Sequence, residues 1–184
     1  VNEYTLLVAV LLSAQSTDKG VNKATAELFK IADTPQKMLE LGKEKLKSYI
    51  KTIGLYNNKA KNIIKLSEIL CEKYDGQVPL EHEKLQELAG VGRKTANVVL
   101  NVWCDAPTIA VDTHVFRIAH RLGISEGKTP LEVEEDLAAK IPAEYHKNIN
   151  HWFVLFGRYK CKAKNPNCKE CKLREYCIEK EKNL

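Results

Sequence analysis

Four of the six cysteines, Cys161, Cys168, Cys171 and Cys177, fall within seventeen residues as C-x6-C-x2-C-x5-C. Thiols at that density are metal ligands or disulfide partners. Disulfides need an oxidising compartment, and no basic-then-apolar leader opens the sequence, so a reduced, cytoplasmic chain is expected. Zinc would take four thiolates in a tetrahedron, usually from a pair of C-x2-C knuckles. Only one C-x2-C is present, and the wider, unequal outer spacers suit wrapping something larger than one ion. A cubane cluster, whose four irons each take one thiolate, meets that need. The spacing favours the cluster and leaves zinc as the alternative. Cys71 and Cys104 lie in helical patterns far from this group and are expected to be small buried side chains without a metal role.

A second constellation is the run Leu88-Ala89-Gly90-Val91-Gly92-Arg93-Lys94-Thr95-Ala96. Two glycines permit a tight, left-handed turn, and a helix opening directly after it presents free amides and a positive dipole end, where a phosphate can sit. On its own, G-x-G is more often a plain helix–helix turn. Arg93 and Lys94 in the first helical turn shift the balance, because cations are unfavourable there unless an anion accompanies them. Eighteen residues past Lys94 comes Val111-Asp112-Thr113-His114-Val115, where Asp112 stands as the N-cap of a further helix. A capping carboxylate is rigid and aimed by the backbone. A lysine becomes a nucleophile when desolvation or neighbouring positive charge lowers its pKa, and Arg93 with the helix N-terminus supplies the charge.

Helices must position these groups. The apolar spacing is helical nearly throughout, with no alternating strand pattern, so the chain is read as all-α with about ten helices. Thr129-Pro130-Leu131-Glu132 combines an N-cap, a first-turn proline and a capping-box glutamate. Asp33-Thr34-Pro35-Gln36 is a looser version of that signal. Leu131, Val133, Leu137 and Ile141 are expected on one helix face, and Ile63, Leu66 and Leu70 on another. Composition agrees with a folded core: 44% of residues are hydrophobic and 29% charged. The longest apolar run, residues 6–12, reads as a buried helix and is far too short for a membrane span. The net charge of +5 resides in residues 158–184, which hold nine Lys or Arg against four Glu. A basic end on a balanced body suits a polyanion, and a solvated lysine-rich tail is the plainer alternative.

Three of these segments together, LAGVGRKTANVVLN, VDTH and the C-x6-C-x2-C-x5-C terminus, resemble the endonuclease III family of bacterial helix-hairpin-helix DNA glycosylases. The likeness extends to LLSAQSTD near the start and IKTIGLYNNKA in the middle, so it covers nearly the whole chain. Ala89 departs from it, standing where the family commonly has proline. The resemblance implies two helical domains flanking a DNA groove, residues 1–106 as a helical-barrel domain holding the hairpin and 107–184 as an iron–sulfur cluster domain. An N-terminal helical segment usual in the family is expected to be missing here. Gly90, Val91, Gly92 and Arg93 would hold a backbone phosphate. Gln15, Leu55 and His114 match positions that enter the duplex once a base is extruded.

By the same resemblance, one 4Fe-4S cluster is held by the four cysteines, and a monomer acts on duplex DNA carrying a damaged or abasic nucleotide, with no membrane partner. Lys94 attacks the sugar and Asp112 stabilises its positive charge. The chain would thus remove oxidised pyrimidines and cut the strand by β-elimination. Lys94 argues against the adenine-mismatch glycosylases of the superfamily, which have no lysine there. The rival of another kind is a non-enzymatic DNA binder with a zinc-ordered tail.

Overall fold

Side-chain caps start several of the helices, at Asn2, Thr17, Thr34, Asp112 and Thr129. The computed structural model describes residues 1–180 and 182, so Glu181, Asn183 and Leu184 of the basic tail lie outside the described residues. Within them the chain forms ten helices and no strand. Thr129 accepts from the Glu132 amide and Glu132 reaches back to the Thr129 amide, closing the capping box with Pro130 in the first turn. Thr34 caps its helix through the Lys37 amide, and Asn2 forms a second capping box with Thr5. Each such cap contributes about 1 kcal/mol by satisfying amides the helix leaves unpaired.

The chain divides into two compact units, Val1–Cys104 and Asp105–Leu184. The first holds α1 (Glu3–Ser13), α2 (Asp18–Ile31), α3 (Pro35–Leu41), α4 (Lys43–Ile50), α5 (Tyr56–Tyr74), α6 (His82–Gln86) and α7 (Arg93–Cys104). Here α5 packs against α1, α3 and α4, while α1 also packs against α2 and α7. The apolar run of α1 supplies Leu7, Val8, Leu11 and Leu12 to the core, and α5 supplies Ile63, Leu66 and Leu70 from one face. Each fully buried leucine or isoleucine stabilises the unit by about 1.5–3 kcal/mol. The single lysine of this interior is Lys59, only 5% exposed.

The second unit holds α8 (Thr113–Arg121), α9 (Pro130–Lys140) and α10 (Ala143–Tyr159), followed by the cysteine loop. Its core joins Val115, Ile118 and Ala119 of α8 to Val133 and Leu137 of α9 and Ile149 and Phe153 of α10. Leu131, expected on that α9 face, is instead exposed. Two residues span roughly 200° around a helix, so 131 and 133 cannot share a face. The expectation for the lone cysteines also needs correcting. Cys104 is exposed and Cys71 only half-buried. The last turn of α7 runs beyond its buried residues Ala96, Asn97, Val99 and Leu100, leaving Val102 and Trp103 exposed too, and Cys71 follows Leu70 at the edge of the α5 apolar face.

Among the described residues no helix is long and apolar enough to cross a membrane.

Candidate functional site

In the first unit, α6 and α7 are joined by the glycine turn and pack on each other. Gly90 has φ 79, and a Cβ there would stand 2.6 Å from Asn62 Nδ2, so both conformation and contact call for glycine. Gly92 departs from the expectation: its φ is not positive and a Cβ would meet nothing within 4 Å. The space beside it is open. The Gly92 carbonyl accepts from Ala96 N (3.0 Å), so α7 starts at this glycine. Val91 is buried, with its amide on Leu88 O at 3.1 Å, and it anchors the turn from below. Arg93 and Lys94 are exposed on the first turn of α7. An open glycine followed by two accessible cations at a helix N-terminus forms an anion-accepting edge.

Beside this turn, Gln15 and Leu55 both adopt left-handed backbone, with φ 54 and φ 59. Neither is glycine, and Leu55 is 59% exposed, an unfavourable state for an apolar side chain with nothing to cover it. Gln15, Leu55 and Gly90 line one pocket with Asn58, Lys59 and Asn62. Lys59 Nζ donates to Leu12 O (2.9 Å), Ala14 O (2.6 Å) and Ser16 Oγ (2.9 Å). Burial pulls its ammonium below the usual lysine range.

In the second unit Asp112 caps α8. One oxygen, Oδ1, accepts from His114 N at 2.8 Å and Val115 N at 2.9 Å, which fixes the carboxylate against the helix start. The next turn of α8 carries Arg117. Its Nη2 donates to Gly157 O (3.0 Å) and Cys161 O (3.1 Å), and contacts His114 Nδ1 at 3.2 Å. A guanidinium only donates, so in this contact Nδ1 can serve only as the acceptor. Gly157 makes room for this arrangement, since a Cβ there would sit 2.9 Å from His114 Nδ1.

Arg121, one turn further, donates through Nη1 to Cys161 Sγ at 3.2 Å and Lys162 O at 2.8 Å, and through Nε to Glu179 at 3.3 Å. Burial opposes its charge, but Cys161 and Glu179 outweigh burial and hold the guanidinium above its ordinary range.

All six cysteines are free thiols. Successive turns aim the last four: Cys161 N bonds to Phe156 O (2.8 Å), Cys171 N to Cys168 O (3.1 Å), and Arg174 N to Cys171 O (3.1 Å). Together they line one pocket walled by Ile118, Leu122, Phe156 and Leu173. Among the described residues no three His, Cys, Asp or Glu side chains converge tightly enough to hold a single metal ion. The four thiols line this pocket, and Arg121 places a cation at its wall. Four thiols beside a cation are a donor set that could hold an anionic iron–sulfur group.

Sequence reasoning passed over Lys59, Asn62, Arg117 and Arg121. For Lys59 a signal existed: it stands in the same helical register as Ile63, Leu66 and Leu70, a lysine on an apolar stripe. The two arginines stand four apart on α8 and carried no mark.

A family model, the HhH-GPD superfamily base excision DNA repair protein, matches residues 8–143. The chain belongs to that superfamily. Within it, the chain is similar to endonuclease III of Treponema pallidum (strain Nichols), 58% identical over 178 residues that make up 97% of this chain and 84% of the relative. It is 55% identical over 179 residues to endonuclease III of Haemophilus influenzae (strain ATCC 51907 / DSM 11121 / KW20 / Rd), 97% of this chain and 85% of that one. Among solved structures, a trapped endonuclease III–DNA covalent intermediate with an estranged adenine aligns at TM-score 0.92 and 48% identity, covering 97% of this chain and 84% of that one.

Proposed function

We propose that this protein is a base excision repair DNA glycosylase that removes oxidised pyrimidines from duplex DNA and cleaves the resulting abasic site. The observation that carries the reading is an accessible Lys94 at a helix start opened by the glycine turn, in a chain similar to one captured as a covalent intermediate with DNA. A covalent bond to DNA requires a nucleophile, and Lys94 is the amine in the right setting. Bound DNA would cover it and bring a sugar carbon within reach of the amine.

The chemistry then runs as follows. The glycosidic bond lengthens and the base departs with the bonding pair, leaving positive charge on the sugar. Asp112, held by two backbone amides, stabilises that charge without having to reorganise. Lys94 Nζ bonds to C1′, the sugar opens to an iminium, a proton leaves C2′, and the 3′ phosphate departs with its bonding electrons. Water finally hydrolyses the imine and frees the lysine. Gly90, Val91, Gly92 and Arg93 would hold a backbone phosphate, while Gln15, Leu55 and His114 fill the space of the extruded nucleotide, offsetting the few kcal/mol that extrusion costs. The enzyme would work as a monomer in the bacterial cytoplasm, on nucleoid DNA.

Cys161, Cys168, Cys171 and Cys177 would hold one 4Fe-4S cluster. Its contribution when bound is to order a loop that has little core of its own and to present Lys162, Lys164 and Lys169 to phosphates. Purified protein should accordingly be yellow-brown with about four irons and four sulfides per chain, and Cys171→Ser should bleach it. A colourless protein with one zinc per chain would overturn the assignment.

The function itself is tested on a duplex with one thymine glycol, labelled on the damaged strand. Incision on the 3′ side of the lesion, leaving the β-elimination end, is the expected result. Binding without base release would leave the non-enzymatic reading standing.

A further inference from the structure

Lys59 is the buried cation that the proposed chemistry does not use. An ammonium taken out of water is unfavourable unless each of its three donors finds an acceptor. All three do, on Leu12 O, Ala14 O and Ser16 Oγ, and among the described residues no carboxylate stands within ion-pair distance of it. Two of the acceptors are carbonyls at the C-terminal end of α1, where the helix dipole is negative and a positive charge is favoured. The acceptors on Ala14 and Ser16 bracket Gln15. Lys59 therefore holds the backbone just before Gln15, through Ala14 O, and the side chain just after it, through Ser16 Oγ, on either side of a residue in unfavourable left-handed conformation. Its own helix also begins at a second such residue: Lys59 N donates to Leu55 O at 3.0 Å, so Leu55 lies one turn below.

We propose that Lys59 is the positioning residue that joins the Gln15 loop to the Leu55 end of α5 and so holds both side chains as one rigid wedge for the duplex. The proposal rests on the reading of Gln15 and Leu55 as duplex-entering residues. Holding both segments through one ammonium removes freedom that would otherwise be lost when DNA is bound. The benefit falls on extrusion, where the wedge acts, and not on the chemistry at the sugar.

The test is single-turnover base release, with the full chain, from thymine glycol in two settings: paired opposite adenine, and flanked by mismatches that already unstack it. Lys59→Met should slow release from the paired site roughly tenfold or more and from the unstacked site by less than about threefold. Lys59→Arg should recover most of the loss, because a guanidinium can still donate to the same acceptors. Ser16→Ala, which removes one of the three bonds and adds no buried group, should show the same bias more weakly and serves if Lys59→Met does not fold. Gln15→Ala is the control, and combining it with Lys59→Met should be little worse than Lys59→Met alone. Equal losses in both settings would make Lys59 a structural residue only and overturn the proposal. So would a normal Lys59→Met beside an impaired Gln15→Ala. A Gln15→Ala enzyme with unchanged release would overturn the duplex reading of Gln15, and this proposal with it.

Discussion

Lys94→Ala should leave no protein–DNA adduct when a reaction on the thymine glycol duplex is quenched with borohydride, under conditions where the unaltered protein is trapped. Borohydride reduces the iminium to a stable amine, so a trapped protein–DNA adduct reads the bond between Nζ and C1′ directly. Strand cleavage should fall by roughly 10³-fold or more, since no other group replaces a covalent nucleophile that the whole sequence of steps depends on. Loss of fold does not account for this outcome. Lys94 is exposed on the first turn of α7, and exposed substitutions of that kind change stability by no more than about 0.5 kcal/mol. Removing a cation from a helix N-terminus relieves a small dipole conflict. The thermal midpoint of Lys94→Ala should stay close to that of the parent. A trapped adduct that survives in this variant would remove Lys94 from the mechanism.

Asp112→Asn isolates charge from structure. Asparagine caps helices about as well as aspartate, so its amide oxygen can accept from His114 and Val115 as Asp112 Oδ1 does. What disappears is the negative charge beside the developing cation. Base release should slow by roughly 10²-fold, the scale seen when one fixed electrostatic contact to a transition state is removed. DNA affinity should be unchanged or slightly tighter, because a carboxylate close to phosphates is lost. Asp112→Ala separates the two roles: it should lose catalysis to a similar degree and about 1 kcal/mol of stability besides, through the missing cap. Chemical unfolding of both variants, set beside their base-release rates, checks the division. If Asp112→Asn released base at the parental rate, the carboxylate would be a cap alone.

Both variants touch residues that local sequence marks plainly. Asp112 before Thr113 and His114 is a helix start on any reading, and Lys94 follows two glycines by local chemistry alone. The same holds for the capping box at Thr129 and for the apolar stripe of Ile63, Leu66 and Leu70, because a 3.6-residue period and a side chain aimed at its own backbone are short-range facts. The error at Leu131 came from counting apolar residues without their angular positions. The error at Cys104 came from taking residue type for location, when the end of α7 runs past its packing.

What the amino-acid order determines by itself here is what depends on neighbours within a turn or two: an all-helical chain with several of its helix starts, the glycine turn with its cations, and four cysteines close enough in sequence to serve one metal group. Tertiary structure alone decides which groups lose water and to whom they then bond. Lys59 is 47 residues from the carbonyl of Leu12 that it holds, and Arg121 is 40 from the sulfur of Cys161. Long-range partners arise only when distant segments are packed together: the apolar stripe marks Lys59 as facing inward, but no local pattern names the carbonyls that its ammonium bonds.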